Sequence, residues 1–281
     1  MKQFTFLLFT ALLAISNWHC QSDSKQEDAR QNPKEILHLA HTRADAVGEI
    51  PPYIPNIDYG EYEILCLGGD IDQNISSSTE TMLVWDSLFN FKSDKTLWAL
   101  GNHDHSNLEL LTEFTGKPTF YTYTKNEVTY LVLYTDLNAS NITNTQLDLV
   151  TQVCDTISTS KSLVVLSHKL FWMPGHPVLE PMIDTIANAK LDFCGWCTQP
   201  NNFYEVVYPK LIQVKNRGIQ VLCIAGDIGS YVQEFEYKTK EGIYFLASGM
   251  SYKAKNNKGL LLYFNEDSTA LDWHFELLQN L

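Results

Sequence analysis

Positive charge is scarce in this sequence. Among 281 residues, Lys and Arg number 20 against 33 Asp and Glu, for a formal net charge of −13. That balance excludes broad, sequence-independent binding to a polyanion such as nucleic acid. A small phosphorylated ligand stays admissible, because one bound metal ion or one arginine reverses the field locally. After the first segment, the chain has no apolar run approaching the roughly 20 residues a spanning helix needs. Cysteine is sparse too, with six residues. Cys194-Gly195-Trp196-Cys197 has no second CxxC to complete a four-cysteine zinc site. What is abundant is core-forming material: 44% hydrophobic and 12% aromatic residues, the composition of a globular chain. The length suits one large domain or two small ones.

The first residues read as an address. Met1-Lys2-Gln3 precedes an apolar run from Phe4 to Ile15, which is the pattern of an export signal. The segment reaches Cys20 and continues into a polar stretch from Gln21 to Asp28. This arrangement resembles a bacterial lipoprotein signal, with His19 where a small residue is usual. The expectation is a signal over 1–20, a tether over 21–34 and a domain over 35–281. Cys20 then carries the lipid, and that lipid is the one membrane contact. The protein faces the periplasm or the cell surface. An ordinary secretory signal with a chance cysteine is the alternative. Five cysteines remain beside Cys20, an odd number that cannot all pair within one chain. Cys66 and Cys223 sit in apolar runs and read as buried thiols. The CxxC reads as a redox motif, half a metal site or a local disulfide. In an exported chain a loop-stapling disulfide is the plainest of the three.

Downstream, short apolar runs alternate with amphipathic stretches. Strands are expected over 35–40, 62–67, 96–100, 162–166 and 219–225. A hairpin is expected over 120–134 and helices over 79–89, 107–114, 143–154 and 203–214. The tail from Glu234 reads as a further antiparallel group of strands. Runs without alternation indicate strands covered on both faces, hence an α/β chain. Residues 169–202 hold Pro174, Gly175, His176, Pro177 and the CxxC, and read as a lid or a disulfide-tied insertion.

Polar residues recur just past the apolar strands: His41, Asp70, Asn102-His103-Asp104, His168 and Asp227. Strand C-terminal ends are where open α/β sheets build sites. Each residue alone has a bland explanation as a turn, cap or core histidine. Oxygen and nitrogen donors gathered from four strands suit a hard or borderline divalent ion.

These motifs resemble the calcineurin-like metallophosphoesterases, over nearly all of the chain from Glu35. Gly69-Asp70 matches the family's second motif, Gly101-Asn102-His103-Asp104 the third and His168 the fourth. The resemblance implies a four-layer α/β/β/α sandwich that hydrolyses phosphoesters with divalent metal (Mn, Fe, Zn or Mg). It implies that Asp70 bridges two metals and that Asn102 and His168 bind the second. His103 contacts the phosphate or protonates the leaving oxygen, and Asp104 holds its ring.

Two motifs depart from the pattern. His41-Thr42-Arg43 stands where the family has Asp-x-His, and Gly226-Asp227-Ile228-Gly229 where it has Gly-His-x-His. Asp70, Asn102, His168 and Asp227 still make a set of four ligands for one metal. The other metal keeps Asp70 and His41 and meets Arg43, a cation with no lone pair to give. The expectation is one metal, with Arg43 in place of the other and clamping a phosphate. Asp45, His105 or His176 refilling the first site is a further option, and gives two metals per chain. The alternative function is a catalytically silent lipoprotein that uses the fold for binding or assembly.

Overall fold

The apolar runs become strands of a computed structural model that describes residues 35–264 and 270–281. The chain divides into two units, 1–32 and 33–281, and every described residue belongs to the second. The expected signal and tether lie outside the described residues.

Strands β1 (Ile36–Leu39), β2 (Ile64–Leu67) and β3 (Thr96–Trp98) are buried at every position. They are followed by β4 (Tyr121–Lys125), β5 (Val128–Val132), β6 (Ser162–Ser167) and β7 (Gln220–Ala225). The tail supplies β8 (Glu234–Lys238), β9 (Tyr244–Ser248), β10 (Lys258–Phe264) and β11 (Leu271–Leu277). One sheet has the order β11-β10-β1-β2-β3 and the other β4-β5-β6-β7-β9-β8. β1–β2–β3 and β5–β6–β7–β9 pair in parallel; antiparallel strands close both edges of the second sheet and the β11 edge of the first, whose other edge is the parallel strand β3. The tail is therefore not one antiparallel group. β10 and β11 return to the first sheet, while β9 joins the second in parallel with β7.

Three apolar layers explain the architecture. Ile36, Cys66 and Leu97 of the first sheet meet Tyr130, Val164 and Leu222 of the second in a central layer. Outside the first sheet, α1 (Thr79–Phe89) and α2 (Leu108–Thr115) bury Met82, Trp85, Phe89 and Leu111 against Leu37 and Leu65. Outside the second, α3 (Asn144–Thr156) and α5 (Tyr208–Asn216), with the one-turn α4 (Ile183–Ile186) between them, bury Val150, Cys154, Leu211 and Ile183. The result is the four-layer α/β/β/α sandwich.

Local chemistry sets the helix ends. The Ser78 hydroxyl accepts from the Thr81 N–H and starts α1, and the Asn107 side chain does the same for Leu110 in α2. Thr143 occupies the N-cap of α3 without a side-chain cap bond. The Gln146 carboxamide instead accepts from the Tyr134 N–H at 2.8 Å, pinning α3 to the end of β5.

Residues 169–202 are not a loose lid. Leu170, Phe171, Trp172 and Met173 are fully buried, with Trp172 stacked on Phe245. Further on, Cys194 and Cys197 form a disulfide and Leu191 pairs with Thr198. Cys66, Cys154 and Cys223 are buried free thiols. No helix among the described residues is long and apolar enough to cross a membrane.

Candidate active site

The parallel centres of both sheets deliver their C-terminal ends to one place. The Gly68 N–H donates to the Leu39 carbonyl, and the Met250 N–H, just past β9, donates to the Ala40 carbonyl. Space there is tight. A β-carbon on Gly226 would strike the Gly68 carbonyl, and one on Gly101 would strike the Asp70 carboxylate. His41 and Asp70 leave their strands with φ of 56° and 54°, left-handed conformations that non-glycine residues rarely hold. Both turn their side chains into the same small volume.

Asp70 is the hub. Its Oδ1 accepts from the His103 N–H at 3.0 Å and lies 3.5 Å from His168 Nε2. Its Oδ2 lies 3.5 Å from His41 Nε2, 3.6 Å from Arg43 Nε and 4.0 Å from His103 Nε2. Burial works to raise its pKa, but His168, His41, His103 and Arg43 outweigh that and hold it well below the usual carboxylate range.

Asp104 does not hold the His103 ring, as the family resemblance implied. Its carboxylate accepts from the backbone N–H groups of Asp70 (2.8 Å), Ile71 (3.0 Å) and Gly101 (2.8 Å). It ties the β2 and β3 ends together. Burial and the neighbouring Asp70 charge push its pKa up to about 7, and the Gly101 and Ile71 N–H groups oppose the rise. The His103 ring is positioned by Gln73, whose backbone carbonyl accepts from Nδ1 at 2.8 Å. That leaves Nε2 facing the pocket, with the side chain 29% exposed. Gln73 also accepts Arg43 Nη1 on its side-chain oxygen at 2.8 Å. One residue that the sequence reading passed over thus positions two that it singled out.

His41 and Arg43 sit as neighbours. His41 Nδ1 donates to the Met250 carbonyl at 3.1 Å, so the neutral ring offers its lone pair at Nε2. Arg43 Nε points at that lone pair from 3.4 Å. Burial holds the His41 pKa down near 4, which keeps the ring neutral. His168 is the opposite case. Its Nδ1 donates to the Gly68 carbonyl at 2.8 Å, while its buried Nε2 has no hydrogen-bond partner. Burial disfavours its charge, yet Asp70, Asp227 and Asp136 outweigh that and raise its pKa.

A residue absent from the sequence reading lies at the centre of the other half. Lys169 is 2% exposed. Its Nζ is 2.7 Å from the Trp196 carbonyl, 3.2 Å from Asn102 Oδ1, 3.4 Å from Asp227 Oδ2 and 3.5 Å from Asp136 Oδ1. The Trp196 contact brings the disulfide turn to the site. Burial lowers the pKa of Lys169, but Asp227, Asp136 and Asp70 outweigh it, so the ammonium is held charged. The same cation, with His168, holds Asp227 low against its own burial. Asp136 lies just beyond β5, a strand-end position like the others, which was the signal available for it.

Three proposed substitutes are elsewhere. Asp45 pairs with Lys253 at 3.5 Å. His176 Nδ1 accepts from the Val178 and Leu179 N–H groups. His105 packs against the Tyr134 ring.

Among the described residues, no group of three or more His, Cys, Asp or Glu side chains is arranged to hold a metal ion. The donor set does not fit a two-metal centre. The first position has Arg43 on the free lone pair of His41. The second has an ammonium on Asn102 and Asp227, two of its four expected ligands. At about 4 Å and an effective dielectric of about 20, a divalent ion beside that ammonium meets a repulsion of roughly 8 kcal/mol.

No protein-family model matches the sequence, and no curated protein matches it either. Solved structures do. A dimetal phosphatase from Danio rerio aligns over 88% of this chain and 97% of its own, at TM-score 0.54 and 12% identity. A Haemophilus influenzae NAD nucleotidase aligns over 86% of this chain and 55% of its own, at TM-score 0.47 and 14% identity. The first of these shows the fold, and the fold is the metallophosphoesterase sandwich.

Proposed function

We propose that this chain is a phosphoester hydrolase. One observation carries the reading. Arg43 and His103, both partly exposed, converge within 4.0 Å of one Asp70 oxygen and are held by the same residue, Gln73. A guanidinium can bind two oxygens of a phosphate and neutralise charge as it develops. His103 has Nδ1–H tied to a carbonyl and Nε2 free, so in its doubly protonated form the Nε2–H is the proton donor to a leaving oxygen. Water attacks phosphorus opposite that oxygen as the phosphorus–oxygen bond to the leaving group breaks; the leaving oxygen takes the Nε2 proton, and the proton released by the water replaces it. The test is a panel of phosphomonoesters and phosphodiesters, run with Mn²⁺, Zn²⁺, Fe²⁺ or Mg²⁺ and in chelator. Turnover that falls about 10²-fold or more in His103→Ala and in Arg43→Ala supports the reading. No turnover under any condition sinks it.

A second reading rests on the changed donor set, in which side-chain cations touch His41, Asn102 and Asp227. A protein that binds phosphate-bearing ligands without hydrolysing them would keep the pocket while losing the metals. Phosphate binding without turnover selects it. Export and lipidation belong to this proposal, and the apolar run from Phe4 to Ile15 with Cys20 shortly after it supports them. A fatty-acid label incorporated by the full chain and lost in Cys20→Ala tests that part; absence of label from the unaltered chain refutes it.

A further inference from the structure

We infer that the cations of this site belong to the chain itself. The Lys169 ammonium stands among Asn102, Asp227 and Asp136, the Arg43 guanidinium stands against Asp70 and His41, and a phosphate-class oxyanion binds there without a divalent ion. The statement about ligand rests on the phosphoester reading; the statement about cations does not.

The argument begins with carboxylates. Asp70, Asp136 and Asp227 have side chains 1–4% exposed, at the ends of three strands. Buried charges of one sign need a counter-charge close by. A metal ion is one solution, and the strand-end donors would suit one. The chain contains another. Lys169 follows His168 directly, and its stem carries the ammonium back to the donors. There it also meets the Trp196 carbonyl, so four oxygens from four segments face one nitrogen. Its three N–H groups are used among these partners, which makes Lys169 a resident of the position and not a hand extended to ligand.

On the other side, Arg43 approaches Asp70 at 3.6 Å and takes the His41 lone pair, and its Nη1 is anchored on Gln73. Arg43 keeps 23% of its side chain exposed, against 2% for Lys169. The division of labour follows from that difference. Lys169 balances the buried acids, and Arg43 balances Asp70 with a face left for an incoming anion. His103, 29% exposed beside the same Asp70 oxygen, offers the adjacent donor.

The experiment uses the whole chain and two titrations. Calorimetry and metal analysis follow Mn²⁺ and Zn²⁺ in the unaltered protein and in Lys169→Met, with melting temperature as a second readout. The unaltered protein is expected to take up no stoichiometric metal and to melt at the same temperature with or without it. Lys169→Met leaves Asp136 and Asp227 without their cation. It is expected to melt lower, to bind Mn²⁺ and to be re-stabilised by it. Stoichiometric metal in the unaltered protein, or a folded Lys169→Met that ignores Mn²⁺, overturns the inference. If Lys169→Met does not fold, the titration of the unaltered protein decides alone. The second titration follows inorganic phosphate in chelator. Binding is expected, weakened about tenfold or more in Arg43→Ala. Phosphate that binds only after Mn²⁺ is added overturns the inference and spares the phosphoester reading. Phosphate that binds under neither condition, with metal still excluded, overturns the phosphoester reading and leaves the cation assignment standing.

Discussion

Asp104 shows how one carboxylate can matter without touching ligand. It accepts three backbone N–H groups from two strand ends, and these donors belong to buried residues. Asp104→Ala strands all three, at about 1–3 kcal/mol for each unmade bond, so a loss of about 3 kcal/mol or more is expected in urea unfolding. Asp104→Asn keeps one good acceptor and should fall between. Equal stability for the unaltered protein and Asp104→Ala would contradict this bracing role. His38 gives a pH signature of its own. It is fully buried, its Nδ1 is bonded to Ser248 Oγ at 2.7 Å, and burial holds its pKa near 3. The unfolded chain binds a proton at about 6.5, which the folded chain refuses until about 3. Stability from the neutral ring is thus intact above about 6.5 and is lost as pH falls toward 3, by about 1.4 kcal/mol per unit. The stability difference between unaltered protein and His38→Gln should shift by about 2 kcal/mol between pH 6.5 and pH 5. A difference that does not move with pH contradicts the assignment.

At the scale of elements, the apolar runs were legible as strands because a strand covered on both faces has no polar alternation to hide it. Helix α1 was legible over 79–89 from its one apolar face, and the structure adds Ser78 and Asn90 as its caps. The pairing of the tail was not. β9 and β10 are both apolar, and nothing in their composition says that one joins β7 in parallel and the other β1 in antiparallel. The segment over 169–202 reads as a lid or a disulfide-tied insertion, and neither reading shows that its first residues are core. The Trp196 carbonyl of its disulfide turn accepts from the Lys169 ammonium. Opening that turn frees a loop closed over a separation of three residues. Loop-closure entropy for so short a ring amounts to at most about 2 kcal/mol. Cys194→Ser with Cys197→Ser should therefore lower the melting temperature by a few degrees while leaving a cooperative transition. Its sharper effect should fall on Lys169, which loses a fixed acceptor. Phosphate affinity should then drop together with stability. A double variant with unchanged melting and binding would mean the turn is ornamental to the site.

The whole molecule places its chemistry on the seam between two sheets. Asp70 and Asn102 come from one sheet, His168 and Asp227 from the other, and each pair alone is an ordinary set of turn residues. The sequence order shows them as four separated motifs, and their meeting was legible from their shared place past the strand ends, with the family resemblance adding their roles. Lys169 stayed hidden because a position beside His168 does not reveal which way a four-carbon stem runs. What holds the seam is the absence of side chains. Gly226 and Gly68 meet backbone to backbone, and a β-carbon on Gly226 collides with the Gly68 carbonyl and the Ala40 methyl. The carbonyl cannot rotate away, since the Gly68 and Gly69 peptides carry bonds to Leu39, His168 and His41. The collision must be relieved by moving one sheet end against the other. Overpacking of this kind costs about 1–3 kcal/mol, and here it also separates Asp70 from His168 and Asp227. Gly226→Ala is therefore expected to unfold at lower urea with the slope unchanged, and to lose phosphate binding. Gly116→Ala is the control for stability alone. Its φ of 71° strains an alanine, yet a β-carbon there meets nothing within 4 Å at the end of α2, so phosphate binding should survive. If Gly226→Ala binds phosphate like the unaltered protein, the two sheet ends are not coupled through this contact.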